Sequence, residues 1–137
     1  MSRFAGVLLL LSLAACQRAP QTLDPNAEAI AKQFFDEVRT GADLDADTHL
    51  AHELKNPTTE AQIAGFRSLI PTEPYRSVML KTWDAKTDGT GTTTRLTEVY
   101  DYGDHTLVVH TALFRSPGGT EPVIVGFLPG SDNGGVN

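Results

Sequence analysis

Apolar residues recur through the first third of the chain as Ala27, Ile30, Ala31, Phe34, Phe35 and Val38. Their spacing of i, i+3, i+4, i+7, i+8 and i+11 places all six on one stripe of an α-helix. Asp24-Pro25 supplies an N-cap and a proline suited to the first helical position, and Gly41 is placed to stop the helix, which is therefore predicted over about 25–40. The next stretch, ADLDADTHLAHELK (42–55), is acidic and only weakly periodic. Leu50, Ala51 and Leu54 predict a short helix over about 47–54, broken by Asn56-Pro57. Thr59 and Gln62 have the spacing of a capping box, and Ile63, Phe66 and Ile70 extend a further helix to about 70, where Pro71 ends it.

After Pro74 the pattern turns to β-branched and aromatic residues in four runs, 75–86, 92–102, 105–115 and 122–128. The separators at 87–91, 103–104 and 116–121 are short, which forces consecutive strands to pair antiparallel. The predicted class is α+β, with N-terminal helices packed on a curved four-stranded antiparallel sheet. In the last two runs Val108, Ala112 and Phe114 oppose Leu107, Val109 and Leu113, while Val123, Val125 and Phe127 oppose Ile124 and Leu128. An antiparallel sheet wetted on one side alternates more cleanly, so both faces here are expected to be covered, one by helices and the other by a further element or a second subunit. One domain is expected over 24–129, followed by a mobile, turn-rich tail at 130–137. There is no internal repeat.

This order of elements resembles the cystatin-like cone of the nuclear transport factor 2-like superfamily. The resemblance rests on the helix AEAIAKQFFDEV (27–38) and the closing pattern EVYDYGDHTLVVHTALFR (98–115). It is one of order and pattern, without signature residues, and a plain α+β sheet with helices on one face is the alternative. Ketosteroid isomerases, polyketide cyclases, dehydratases, immunity proteins and many small bacterial lipoproteins belong to that superfamily, so the fold leaves the function open.

The start of the chain has its own logic. Arg3 precedes the apolar segment from Phe4 to Leu13, and the small residues Ala14, Ala15 and Cys16 close it, the three-part layout of a secretory signal. The 12 residues from Phe4 to Ala15 fall short of the roughly 20 that a membrane-spanning helix needs. The ending LAAC, at 13–16, resembles the lipobox of bacterial lipoproteins, which implies diacylglycerol on the Cys16 thiol, cleavage after residue 15 and acylation of the new amino terminus. Two or more acyl chains hold a protein stably at a bilayer, so the implied partner of residues 16–23 is the membrane. The seven residues QRAPQTL that follow Cys16 would reach about 23 Å at ~3.3 Å each, keeping the domain close to the surface. The expected location is the bacterial cell envelope, facing the periplasm. Gln17, where enteric lipoproteins kept at the inner membrane carry aspartate, favours the outer membrane.

Removing 15 of the 137 residues leaves 122, enough for one domain with a core of its own. Cys16 is the sole cysteine, so no disulfide within the chain supports that core. Of the 11 basic residues only Arg3 is lost, leaving 10 against 17 acidic ones and a net charge near −7. That balance disfavours nucleic acid, whose binding rests on phosphate neutralisation, and also attraction to anionic lipid.

His110 shares its strand face with Val108, Ala112 and Phe114, while Glu98, Tyr100 and Tyr102 share one face of the preceding strand. If both faces lined one cavity, a buried imidazole, a carboxylate and a phenol would make an acid–base site of the kind that ketosteroid isomerase relatives use. Asp101 falls on the opposite strand face. The bland alternative is a hydrogen-bonded core histidine and an edge carboxylate. His49 and His52 lie three apart beside Glu53, but HLAHE does not fit the zinc-peptidase pattern, and surface histidines on an acidic helix are the expectation. Trp83 alternates onto one face with Tyr75, Met79 and Lys81, as a contact patch or as ordinary core. DGTG at 88–91 joins two strands without entering a helix, and no GxSxG elbow occurs, so neither a nucleotide site nor a serine hydrolase is indicated.

The expectation is a lipid-anchored binding or interaction module without catalysis, cofactor or metal. Its partners would be a second copy or another protein at the sheet face, or a small apolar ligand. The alternatives are an isomerase- or dehydratase-like enzyme using His110, Glu98 and Tyr100, and a purely structural lipoprotein.

Overall fold

The structure, a computed structural model, describes residues 22–47, 49–119 and 121–130. The expected signal segment, Cys16, the expected tether as far as Gln21 and the expected tail from 131 lie outside the described residues. The chain forms α1 (Pro25–Thr40), α2 (Pro57–Arg67), β1 (Ser77–Asp88), β2 (Gly91–Asp101), β3 (Thr106–Arg115) and β4 (Val123–Gly130), an α+β architecture. Among the described residues no helix is long and apolar enough to cross a membrane.

α1 matches its sequence signals. Asp24 Oδ1 accepts the Asn26 N–H at 2.9 Å, Gly41 adopts φ 76°, and the Ala42 N–H closes on the Glu37 carbonyl at 2.9 Å. All six residues of the predicted stripe are buried. α2 differs from expectation at its start. Asn56 caps it by accepting the Thr59 N–H at 2.9 Å, and Pro57 occupies the first turn, so the pair expected only to break a preceding helix begins the next one. At the far end the Arg67 Nε donates to the Val38 carbonyl at 2.8 Å, joining the C-termini of both helices.

The short helix expected over 47–54 is reduced to a 3-10 turn at His52–Leu54. The residues before it bracket β4 instead: Leu50 bridges Ile124 in parallel, the Ile124 N–H donates to the His49 carbonyl at 2.6 Å, and the Ala51 N–H donates to the Ile124 carbonyl at 2.9 Å. Weak periodicity leaves these backbone groups without a helix to join, and the sheet edge takes them.

The sheet order is β1-β2-β3-β4 with every pair antiparallel. Two bulges modify it. Leu80 stands opposite Glu98 and Thr82 opposite Thr97, making Lys81 the extra residue in β1; Ala112 stands opposite Gly126 and Leu113 opposite Ile124, making Val125 the extra residue in β4. A bulge advances side-chain alternation by one, so Trp83 shares the inner face with Val78 and Leu80. The patch expected from Tyr75, Met79, Lys81 and Trp83 is thereby divided: Trp83 packs against the core, whereas Met79 is 64% exposed on the other face.

The inner face carries Leu96, Tyr100, Leu107, Val109, Leu113 and Ile124 against Phe34, Phe35 and Val38 of α1, all buried. Phe35 stacks on Tyr100 with ring centroids 3.8 Å apart, and Phe34 meets Phe127 edge-on at 5.2 Å. The outer face is wetter than its sequence implied. Val108 is buried, but His110 and Arg95 are exposed and Leu128 is 53% exposed. β4 continues to Gly130 with Pro129 buried, so the domain extends one residue into the segment expected to be tail.

Candidate functional site

In an antiparallel pair, residues directly opposite each other share a face. Glu98 stands opposite Val109 and Leu80, and Tyr100 opposite Leu107 and Val78, so both acid and phenol point inward with the core. His110 stands opposite Thr97 and Leu128. Its Nδ1 lies 3.0 Å from the Thr97 hydroxyl on the outer face, exposed to solvent. The sequence grouped residues correctly within each strand, but the register between β2 and β3 puts Glu98 and His110 on opposite sides of the sheet. The constellation of His110, Glu98 and Tyr100 is not assembled.

What remains inside is unusual in its own right. Glu98 is fully buried, and neither of its carboxylate oxygens has a hydrogen-bond partner. Burial pushes its carboxyl up from the usual 4.5 to about 7, against a lowering by the Lys32 ammonium and with a raising by Glu28. The Tyr100 and Tyr102 hydroxyls are also buried without partners, and burial raises both phenols. Tyr75, between them and α1, donates its hydroxyl to Asp36 at 3.3 Å. The space between α1 and this part of the sheet is filled by Phe35, Tyr75 and Tyr100, whose rings stack or meet edge-on.

The open space lies elsewhere. A groove of about 550 Å³ runs between α2, the bracketing segment and β4, walled by Phe34, Leu50, Leu54, Ile63, Phe66, Ile124 and Phe127, with Thr59 and Gln62 as its polar side chains. Ala61 and Gly65, also at its wall, are spaced i, i+4 on α2 and so occupy one face of that helix. A Cβ added at Gly65 would meet nothing within 4 Å, so the small residues themselves leave this volume open. On the β4 side Gly126 permits close approach, since a Cβ there would lie 3.2 Å from that of Ala112. A shallower hollow of about 330 Å³ on the outer face is lined by Asp84, Arg95, Thr97, His110 and Leu128 among others.

Periodicity marks Ile63 and Phe66 as core; the small residues Ala61 and Gly65, one turn apart on a mostly exposed helix, are the signal for the groove. His49 and His52 do not share a helix face. His52 is exposed in the 3-10 turn, and His49 is half-buried in the segment before it. No protein family, curated protein or solved structure matches this chain.

Proposed function

We propose that this chain is a lipid-anchored cell-envelope binding module, held to the membrane through acyl chains on Cys16 and facing the periplasm, that takes a small apolar ligand in the groove between α2 and β4. The groove carries the reading. Its volume of about 550 Å³ falls within the ~300–1,000 Å³ typical of small-molecule sites, and its walls are apolar with few polar groups to orient a ligand. Helices preceding an antiparallel four-stranded sheet support assignment to the nuclear transport factor 2-like, cystatin-like group. The lipobox-like LAAC supports the anchor.

A second reading, an isomerase- or dehydratase-like enzyme, is favoured by the unpaired burial of Glu98 beside Tyr100. It would have to work without His110 and would need the inner packing to open.

Two substitutions test the groove in protein comprising residues 17–137. Ala61→Trp and Gly65→Leu add bulk at an exposed helix face that lines the groove, so they fill it without disturbing the core. Titration with an apolar fluorescent dye such as Nile red is expected to show saturable binding that both variants weaken by about tenfold or more, the loss of roughly 1.4 kcal/mol. Binding unchanged in both variants would remove the groove as the site. Metabolic labelling with palmitate tests the anchor: Cys16→Ser is expected to lose the label and leave the membrane fraction.

A further inference from the structure

Glu37 in the last turn of α1 meets two residues of the loop that follows it, Asp47 and His49. One carboxylate oxygen from each acid and a ring nitrogen of His49 lie within 4.8 Å of one another. The Asp47 side chain is 3% exposed. Donors reach one oxygen of each acid: Gln33 Nε2 donates to Glu37 Oε1 at 3.1 Å, and the His49 N–H to Asp47 Oδ1 at 2.7 Å. The remaining oxygens, Glu37 Oε2 and Asp47 Oδ2, are buried and have no hydrogen-bond partner. Charged carboxylates persist in the interior where they are paired or hold a metal. The two acids and the imidazole converge here, and a bound cation would take the place of the proton through which Glu37 and Asp47 otherwise hydrogen-bond.

We propose that Glu37, Asp47 and His49 form a binding site for a divalent transition-metal ion of the Zn²⁺ class. The imidazole directs the choice away from Mg²⁺ and Ca²⁺, which take oxygen ligands, and the two carboxylates direct it away from thiolate-seeking ions. His49 Nδ1 lies 3.7 Å from Asp47 Oδ1, close to the about 3.3 Å that separates neighbouring ligands around tetrahedral zinc at bond lengths of ~2.0–2.1 Å. Three protein ligands leave the fourth position to water. The His49 side chain, 19% exposed, gives the ion its route from solvent. A second cluster, Glu73, Asp104 and His105, is exposed at every member and has no buried unpaired oxygen. The ion would tie the end of α1 to the segment whose backbone brackets β4 and whose Leu50 walls the groove, a role independent of whether the groove binds a ligand.

Equilibrium dialysis of the full chain in detergent against Zn²⁺ at pH 7.5, followed by metal analysis, tests this. The expected result is one ion retained per chain, not displaced by excess Mg²⁺, and affinity at least ~100-fold weaker in His49→Gln, as for loss of a direct ligand. Asp47→Asn is expected to act alike; should that variant unfold, His49→Gln, altered at a partly exposed side chain and checked by circular dichroism, decides alone. No retained zinc, or retention unchanged in folded His49→Gln, would overturn the site.

Discussion

Glu98 offers the clearest test of how this core is built. A carboxyl with no exposed surface and no hydrogen-bond donor resists ionisation, which raises its pKa from 4.5 to about 7 in the folded chain. Below pH 4.5 both folded and unfolded chains hold the proton, and Glu98 carries no electrostatic penalty. As pH rises from 4.5 to 7 the unfolded chain releases its proton while the folded chain retains it, so stability falls through this window and levels off above it. At about 1.4 kcal/mol per pH unit, the full loss is about 3 kcal/mol. Glu37, also raised to about 7 mainly by burial, adds a slope of the same sign, so wild-type stability alone cannot isolate Glu98. Glu98→Gln keeps the shape and cannot ionise. Urea denaturation of both proteins at pH 4.5 and pH 8 is expected to show the variant gaining on wild type by about 3 kcal/mol between the two, with m unchanged. A difference that does not vary with pH would refute the reasoning and imply that Glu98 has a partner or a path to water. The same result bears on the enzyme reading, since a carboxyl holding its proton near neutrality is poised as an acid rather than as a base.

Asp24→Ala removes the N-cap of α1 together with the ion pair between Asp24 Oδ2 and Arg115 of β3, and is expected to lower stability by about 1–2 kcal/mol in urea melts. Asp24→Asn, which keeps the cap, should lose less; equal losses would mean that the ion pair contributes everything. At the β1–β2 hairpin Gly91 adopts φ 143°, and a Cβ there would collide with the Arg115 carbonyl and the Phe114 ring. Gly91→Ala is therefore expected to destabilise by at least ~2 kcal/mol. Gly89→Ala, two residues away with nothing within 4 Å, should be close to neutral, and similar losses at both positions would show that the hairpin responds only to loss of glycine flexibility.

Elements whose signals are local were legible in the sequence. α1 carries its cap, its stripe and its stop within 18 residues, Asp24 to Gly41, and forms as read. The four strands and their antiparallel order follow from period-two runs joined by short turns, because a short connection leaves the chain no other partner. The acidic segment at 42–55 was not legible, since the backbone groups of His49 and Ala51 bond to Ile124 of β4, a strand more than 60 residues further along the chain. The candidate site divides in the same way. That Glu98 and Tyr100 share a face is fixed by alternation within one strand. Whether His110 joins them depends on register between strands, where a shift of one residue moves a side chain to the other side of the sheet. The bulge at Lys81 likewise returns Trp83 to the core, against the alternation of its own strand. The groove between α2 and β4 and the meeting of Glu37 with Asp47 and His49 arise from packing between elements. Periodicity records which side of an element is buried; which groups then face each other, and what space is left between them, only the assembled tertiary structure decides.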